Sequence, residues 1–273
     1  GLLAARGGLS AKAGIDAELV LLPNGGAMTS AIVSGALDIA PSNIASIAAA
    51  YGHGLRLNLF APAVLVASSA PATTIVGVLK TSPIRSARDL SGKTVALSTL
   101  RDLQQAAVMT WLDANGGDSK AVQFIEMPPA EQLAALTAKR VDAALLVEPF
   151  LSQALAQVRS IARPYSSLAP ELLTFGWIAN ENWYNANPAL VAQVTQAIRS
   201  TAIWANHDHD ATAAIISEAS KVPLGTFRAM NRQQWSEGRL DPRLIQPIID
   251  ASVRYGFLPK TFAASELFAK GVS

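Results

Sequence analysis

Two kinds of apolar segment alternate along the first two thirds of the chain, and this alternation restricts the folds that the chain can adopt. Short runs such as "TVAL", Thr94–Leu97, and "VDAALLV", Val141–Val147, are typical of buried strands. Segments between such runs, for example "RDLQQAAVMTWLDANGG", place apolar residues three and four positions apart and predict helices. This order predicts an α/β fold with mainly parallel sheets.

The remaining third, after Pro188, has a different pattern. "PALVAQVTQAIRSTAIWANH", "DATAAIISEASK" and "DPRLIQPIIDASVRYG" all have helical spacing, and we expect them to cover the sheets as a helical shell. A long stretch without charge, Leu57–Leu79, is interrupted by Pro62 and Pro71. Because a spanning helix needs about 20 predominantly apolar residues, this stretch predicts two strands and a loop rather than a membrane span.

A weak internal repeat relates Val20–Asn43 to Phe124–Val147. Each segment has a strand, a loop with proline, a helix, and then an aspartate within a short apolar strand, Asp38 in the first and Asp142 in the second. The first strand of the earlier unit is "AELVLL", Ala17–Leu22. Two units of one architecture predict two similar lobes, each built on its own sheet.

The stretch "SGALDIAPSN" indicates where a ligand binds in such a fold. Its predicted strand, Ala36–Ala40, is followed by Pro41, Ser42 and Asn43, just before a helix. Ligands of open α/β sheets bind beyond the carboxyl ends of the strands, so we expect these residues to face the equivalent Glu148–Phe150 across a cleft. The alternative is that Ser42 or Asn43 only caps the following helix, and both roles are compatible.

Two other segments place small or hydroxyl residues at the start of a helix. Gly25 and Gly26 in "PNGGAMTS" allow a close approach to the backbone, and free N–H groups there attract anions. Ser98 and Thr99 in "LSTLRDLQQ" end a buried strand before a helix that is predicted to begin at Arg101. Their hydroxyls and the first-turn N–H groups are suited to an oxyanion. An ordinary glycine turn and plain N-capping are the alternatives.

Glu148 and Trp177 are two less specific candidates. Glu148 follows the strand "AALLV", where its carboxylate can bond an amine or hydroxyl of a ligand; a solvated charge at the rim is the alternative. Trp177, in "TFGWIAN", is placed to stack on a ligand near a hinge, with core packing as the alternative.

Composition argues against several classes of function. Lys and Arg number 22 against 20 Asp and Glu, and no basic cluster indicates nucleic-acid binding. The chain has no cysteine, and no G-x-S-x-G, H-E-x-x-H or G-x-G-x-x-G motif. In "NHDHD", His207 and His209 are two positions apart and do not share a helix face, which disfavours a metal site. We therefore expect a binding protein without a metal or a cofactor, and not an enzyme.

Taken in order, these motifs resemble the substrate-binding proteins of ABC importers, in the branch of the nitrate, taurine, aliphatic-sulfonate and thiamine-pyrimidine binders. The matching motifs are "GGLSAKAGIDAELVLLPNGGA", "SGALDIAPSN", "SPIRSARDLSGKTVALS", "KRVDAALLVEPF" and "NPALVAQV", and they cover nearly the whole chain. The resemblance implies a two-lobed periplasmic-binding-protein fold of type II, joined by crossover strands near Thr73–Lys80 and Leu172–Asn180. Lobe one is then residues 1–75 plus 176–273, and lobe two is residues 76–175.

Carried over by position, the resemblance also implies a pocket between the lobes. Its lining is Asn24, Gly25, Gly26, Ala27, Ser42, Asn43, Ser98, Thr99 and Leu100, with Glu148 and Trp177 as less certain members. The implied function is that of a monomeric periplasmic receptor, its signal peptide removed, which closes on a sulfonate or carboxylate. It would deliver this small organic anion to an ABC permease, its only connection with the membrane.

Two alternatives and one departure accompany the resemblance. A pyrimidine or another aromatic small molecule is the alternative ligand, and an enzyme on the same fold is disfavoured because the chain has no cysteine. Members of this group also have a strand before the segment that matches "GGLSAKAGI". The resemblance therefore implies that the chain is trimmed or incomplete at its start.

Overall fold

The computed structural model describes residues 1–22, 24–220 and 222–270. The strands within these ranges are β1 (Ile39–Asn43), β2 (Leu57–Ala67), β3 (Thr74–Leu79), β4 (Thr94–Leu97), β5 (Gln123–Glu126), β6 (Ala143–Val147), β7 (Val158–Ala162), β8 (Glu171–Asn180) and β9 (Gln234–Trp235). The α-helices are α1 (Leu2–Arg6), α2 (Leu9–Lys12), α3 (Gly25–Val33), α4 (Ile44–Gly52), α5 (Leu103–Ala114), α6 (Pro129–Thr137), α7 (Phe150–Ala154), α8 (Glu181–Ala186), α9 (Pro188–His207), α10 (His209–Ser220), α11 (Leu224–Ala229) and α12 (Gln246–Arg254).

The first sheet has the strand order β1-β8-β2-β9, and each pair of neighbours is antiparallel. β1 and β2 run in the same direction, and β8 lies between them in the opposite direction. The prediction of a mainly parallel sheet is therefore wrong here. The physical reason is that β8 brings the chain back from the other sheet and enters the middle of this one, along most of the length of β2.

The second sheet has the order β5-β4-β6-β3-β7. β4 pairs in parallel with β5 and β6, whereas β3 is antiparallel to both of its neighbours, β6 and β7. Four of its strands thus share one direction, as predicted. The α/β class with two separate sheets is confirmed, and we call the two parts the first lobe and the second lobe.

The chain passes between the sheets twice. β2 belongs to the first sheet and β3 to the second, so one passage is at residues 68–73; β7 and β8 place the other at residues 163–170. The predicted crossover strands near Thr73–Lys80 and Leu172–Asn180 are therefore strands within the sheets, and the connections precede them. The division of domains at residues 75/76 and 175/176 stays a prediction.

The segment Ala17–Leu22 is not a strand, contrary to the prediction. β1, which lines a common cavity with this segment, pairs only with β8 and is an edge strand of the described sheet. A lone extended segment has no partner for its backbone hydrogen bonds, and Leu19, Val20 and Leu21 are exposed. Between this segment and β1 lies an apolar cavity of about 230 Å³, which we call the N-terminal groove.

Several predicted boundaries shift. The strand predicted at Ala36–Ala40 is β1, which continues through Pro41 to Asn43; proline is tolerated there because β1 lies at an edge. The helix predicted from Arg101 begins at Leu103, because Arg101 has a left-handed φ of 54°. The strand β7, which follows α7, was not predicted. In the repeat, the later unit has its strand, helix and strand, whereas the earlier one has only α3 and β1.

Each lobe has its own core. In the first lobe, Ile32, Ile44, Ile47 and Leu59 are fully buried with residues of α12. In the second lobe, β3, β4 and β6 pack against α5 on one face and against α6 on the other. The predicted helical run after Pro188 is present as α9 to α12, with the short strand β9 as an interruption. In the described part of the chain, no helix combines the length and the apolar composition that crossing a bilayer requires.

Candidate functional site

The two lobes touch where β1 ends and α5 begins. Asn43 is the last residue of β1, and its Nδ2 donates a hydrogen bond of 3.2 Å to Oδ2 of Asp102, the residue before α5. Both side chains are buried, with 5% of Asn43 and 8% of Asp102 exposed. We call residues 24–27, 42–43 and 98–102 the strand-end junction. This contact places the carboxyl ends of β1 and β4 opposite each other. The residue that faces Asn43 is therefore Asp102, and not the expected Glu148–Phe150, whose Glu148 contacts Ser152 and Asn231.

The first-lobe side of the junction is built on a close approach between α3 and β1. Gly25 begins α3, and a Cβ at this position would lie 2.4 Å from Nδ2 of Asn43 and 3.0 Å from Oγ of Ser42. Oγ of the fully buried Ser42 donates to the carbonyl oxygen of Gly25 at 2.8 Å. Oδ1 of Asn24 caps the helix by accepting from N–H of Ala27 at 2.9 Å. The structure thus brings together the predicted Asn24–Ala27, Ser42 and Asn43.

Asn43 caps a helix, which was one of its two predicted roles, and it also contacts the opposite lobe. Its Oδ1 accepts from N–H of Ser46 at 2.8 Å, so it is the N-cap of α4. Its Nδ2 donates to Oγ of Ser46 as well as to Asp102. One side chain therefore fixes the start of a helix and contacts the opposite lobe.

On the second-lobe side, the N–H groups predicted to bind an oxyanion already have acceptors. N–H of Ser98 donates to Oε1 of Gln104 at 2.9 Å, and N–H of Leu100 donates to Oε2 of Glu126 at 3.1 Å. N–H of Arg101 donates to Oε1 of Gln105 at 2.7 Å. The prediction that these groups offer a ready anion site is therefore not supported. Thr99, in the same loop, is partly buried.

The hydroxyl of Ser98 has a different environment from its N–H group. Oγ of Ser98 is buried and has no hydrogen-bond partner among the described residues. A buried hydroxyl without a partner is costly, so this oxygen is available to a bound molecule. Ser98 thus stays a candidate, through its side chain rather than through its backbone.

Asp102 is the residue that the sequence reasoning missed. Its Oδ1 accepts from N–H of Leu103 at 2.6 Å, which makes it the N-cap of α5. Burial raises the pKa of Asp102 to about 6; the hydrogen bonds from Leu103 and Asn43 lower it, and the charge of Glu126 raises it. An aspartate just before "LQQAAVMTWL" is a recognisable N-cap signal, but nothing local indicates that it is buried against the other lobe.

A second contact between the lobes lies beside the junction, between α5 and α12. The guanidinium of Arg101 donates to the carbonyl oxygen of Gly256 at 2.8 Å and lies 5.3 Å from the ring centre of Phe257. Further along α5, Oδ2 of Asp113 accepts from the hydroxyl of Tyr255 at 2.9 Å. Arg101 is therefore held away from Asp102, although the two residues are neighbours in sequence.

Glu148 lies away from the junction, near the passage at residues 68–73. Its carboxylate accepts from N–H of Ser152 at 3.0 Å, from the hydroxyl of Ser152 at 2.9 Å and from N–H of Asn231 at 3.3 Å. Nδ2 of Asn231 donates to the carbonyl oxygen of Ala72 at 2.9 Å. Glu148 thus connects the second lobe with the loop after α11, near the place where the chain changes sheets.

Trp177 is also not part of the junction. It pairs with Pro41 of β1 and Ala61 of β2, and it lines the N-terminal groove together with Gly1 and Leu19. β8 runs away from the junction, where Phe175 pairs with Asn43, so Trp177 lies two positions further into the first lobe. The structure does not bring it near Ser98 or Asp102.

The histidine segment shows no metal centre. Within the described residues, no group of three or more His, Cys, Asp or Glu side chains is arranged to hold a metal ion. Oδ1 of Asp208 accepts from N–H of Ala211, as a helix cap does, and Oδ1 of Asp210 pairs with Arg228 at 2.9 Å.

Solved structures show the class of fold to which this architecture belongs. The aliphatic sulphonate binding protein SsuA of Escherichia coli matches 98% of this chain and 88% of its own at 17% identity, with a TM-score of 0.81. SsuA of Xanthomonas axonopodis pv. citri, an alkanesulfonate-binding protein bound to MOPS, matches 98% and 93% at 18% identity, also with a TM-score of 0.81. The fold is thus that of the two-lobed periplasmic binding proteins.

The family follows from the sequence. The profile described as NMT1/THI5 like matches residues 2–212, and the chain belongs to this family. A protein of Brachyspira hyodysenteriae, named as an ABC transporter periplasmic binding protein, is 31% identical over 156 residues. That match spans 52% of this chain and 43% of the relative, so less than half of the relative's length is covered.

Proposed function

We propose that this chain is the extracytoplasmic solute receptor of an ABC importer, which binds a small organic anion between its lobes. The observation that carries the proposal is the junction itself: the strand ends of two separate sheets face each other, and Asn43 of one lobe contacts Asp102 of the other at 3.2 Å. A ligand held there touches both lobes only when they are closed, so binding shifts the population toward the closed state. The name of the Brachyspira relative supports the same role.

The first lobe provides the support for an anion. α3 and α4 both begin beside Ser42, and the N-terminal end of a helix favours negative charge. The two SsuA proteins, which share the fold, are named as sulfonate-binding proteins. We therefore place the acidic group of the ligand, a sulfonate or a carboxylate, against the first lobe.

The alternatives have less support. A pyrimidine stacked on Trp177 would lie in the N-terminal groove and not between the lobes. The desulfurization enzyme DszB shares the fold, with a TM-score of 0.72 at 16% identity, so the fold alone is compatible with catalysis. The chain has no cysteine and none of the local catalytic motifs considered above, and we propose a binding protein.

A ligand panel tests the function. We expect one or more members of a set of sulfonates, carboxylates, nitrate and pyrimidines to raise the free energy of unfolding by about 2.7 kcal/mol when present at 100 times the Kd. The measurement is a thermal shift followed by calorimetric titration, with product analysis on each hit. Conversion of a hit into a product would show that the protein is an enzyme and would contradict the proposed function.

Replacing Asn43 by Ala tests the place of binding. We expect a loss of about 1 kcal/mol in stability, because α4 loses its N-cap, together with a weaker affinity for the panel hit. Asn180 caps α8 in the same way, by accepting from N–H of Asn182 at 2.9 Å, and it lies at the far end of β8. Asn180→Ala is therefore the matched control, with a similar loss of stability and unchanged affinity. If Asn43→Ala binds the panel hit as tightly as the unmodified protein does, the ligand binds somewhere other than the junction.

A further inference from the structure

The burial of Asp102 depends on the contact between the lobes. Asn43 of the first lobe donates to its Oδ2 at 3.2 Å, and Leu103, the next residue in the chain, is buried within the apolar cluster of the first lobe. The turn Pro164–Ser167, on the second passage between the sheets, packs against α5. Only 8% of Asp102 is exposed in this arrangement. Separation of the lobes would remove the first-lobe groups and return the carboxyl to water.

The charge of Asp102 has no cation beside it within the described part of the chain. None of the ion pairs there between Lys, Arg or His and an acid includes this residue. Arg101, its neighbour in sequence, is directed to the carbonyl oxygen of Gly256 and to the ring of Phe257. Because a buried carboxylate without a counter-charge binds a proton more readily than an exposed one, contact between the lobes favours protonation.

The groups that face Asp102 act in the same sense or do not titrate. Burial raises the pKa of Asp102 to about 6 against two hydrogen bonds that lower it, and the like charge of Glu126 on β5 raises it further. Burial and the charge of Asp102 raise the pKa of Tyr165, which stays uncharged. From β1 and α4 the facing groups are Asn43 and Ser46, which have no titratable side chain.

We propose that closure of the lobes on the ligand is coupled to the uptake of one proton at Asp102, so that acidity favours binding and neutral pH favours release. This inference rests on the proposed function and adds a regulation of the same site. A proton from solvent binds the carboxylate as the lobes close, and it returns to solvent as they open. The closed state is the one in which the ligand contacts both lobes.

The direction of the pH effect follows from the two states of the carboxyl. Between the ordinary pKa of 3.8, expected when the lobes are apart, and the value of about 6 in the closed state, closure takes up a proton. The closed population is therefore highest below pH 3.8 and falls as the pH rises through 6. Above that range it no longer depends on this group.

Calorimetric titration with ethanesulfonate tests the coupling, because a sulfonate stays ionised over this range. Titrations at pH 5, in buffers with different ionisation enthalpies, give the number of protons taken up for each ligand bound. We expect about 0.8 protons for the unmodified protein, and an affinity about tenfold higher at pH 4.5 than at pH 7.5. Asp102→Asn, which keeps a capping oxygen and does not titrate, should take up about 0.2 protons or fewer.

Asp118→Asn is the matched control for this substitution. Asp118 is exposed and caps a short turn by accepting from N–H of Lys120 at 2.9 Å, so we expect its replacement to leave the proton uptake unchanged. An uptake near zero in the unmodified protein would overturn the coupling and leave the receptor function standing. An equal uptake in Asp102→Asn would overturn the role of Asp102 in the same way.

Solution scattering separates a failure of this inference from a failure of the proposed function. If neither ethanesulfonate nor any other anion of the panel binds, the proposed function is contradicted, and scattering by the unliganded protein decides the coupling. A radius of gyration that is smaller at pH 4.5 than at pH 7.5, in the unmodified protein but not in Asp102→Asn, would support it. Equal radii at the two pH values would overturn it.

Discussion

Replacing Asp102 by Asn is expected to remove a pH dependence of stability of about 3 kcal/mol. The pKa of Asp102 is about 6 in the folded protein against an ordinary 3.8, because the carboxyl is buried. Between these values the folded state binds more protons than the unfolded chain. The contribution of this group is therefore fully retained below pH 3.8 and declines as the pH rises through 6, by about 1.36 kcal/mol for each pKa unit.

The measurement is urea unfolding of both proteins at several pH values between 4 and 7.5. Other carboxyls, such as Asp241 with its lowered pKa, change stability with pH in the opposite direction. The quantity to follow is therefore the difference in the free energy of unfolding between Asp102→Asn and the unmodified protein. We expect this difference to move in favour of Asp102→Asn as the pH rises. Glu126 and Tyr165 are the other titratable groups coupled to Asp102, and Glu126→Gln should lower the pKa of Asp102. A difference that does not vary with pH would show that the carboxyl is not buried.

Gly25→Ala is expected to destabilise the protein by about 1–3 kcal/mol and to weaken ligand binding about tenfold. The added methyl group would lie 2.4 Å from Nδ2 of Asn43 and 3.0 Å from the backbone nitrogen of the same residue. Because that amide also caps α4 and contacts Asp102, it cannot move without loss of a hydrogen bond.

The neighbouring glycine is the control for this change. At Gly26 an added methyl group would meet only Oδ1 of Asn24, at 3.4 Å, which is nearly ordinary contact. Gly26→Ala adds the same helix propensity without the clash and should retain both stability and affinity. Denaturation and titration of the two variants, side by side, check the prediction. Equal behaviour of the two would mean that α3 does not approach β1 as described.

Local patterns predicted the elements with strong periodicity. Thr94–Leu97 is a strand and Pro188–His207 is a helix, as the spacing of their apolar residues indicated. Local patterns could not predict that β8 is antiparallel to its neighbours. Its position between β1 and β2 depends on how two distant parts of the chain meet. The same holds for Ala17–Leu22, whose composition is typical of a strand but which has no described neighbour to pair with.

The junction was predictable on one side only. Ser42, Asn43 and the glycines at 25 and 26 lie next to each other because adjacent strand and helix ends share one edge of a sheet. On the other side, the N–H groups of Ser98 and Leu100 are taken by Gln104 and Glu126, one of which lies on a different strand. A local motif shows which donors exist, but it does not show which distant side chains occupy them.

The two passages between the sheets also affect the order in which the protein folds. β2 and β8 are hydrogen-bonded neighbours, yet the entire second sheet lies between them in the sequence. During synthesis, the second lobe leaves the ribosome complete while the first sheet still lacks its central strand. Since domains fold as units and non-local pairing is slow, the inserted lobe should become protected from hydrogen exchange before β1 and β2 do.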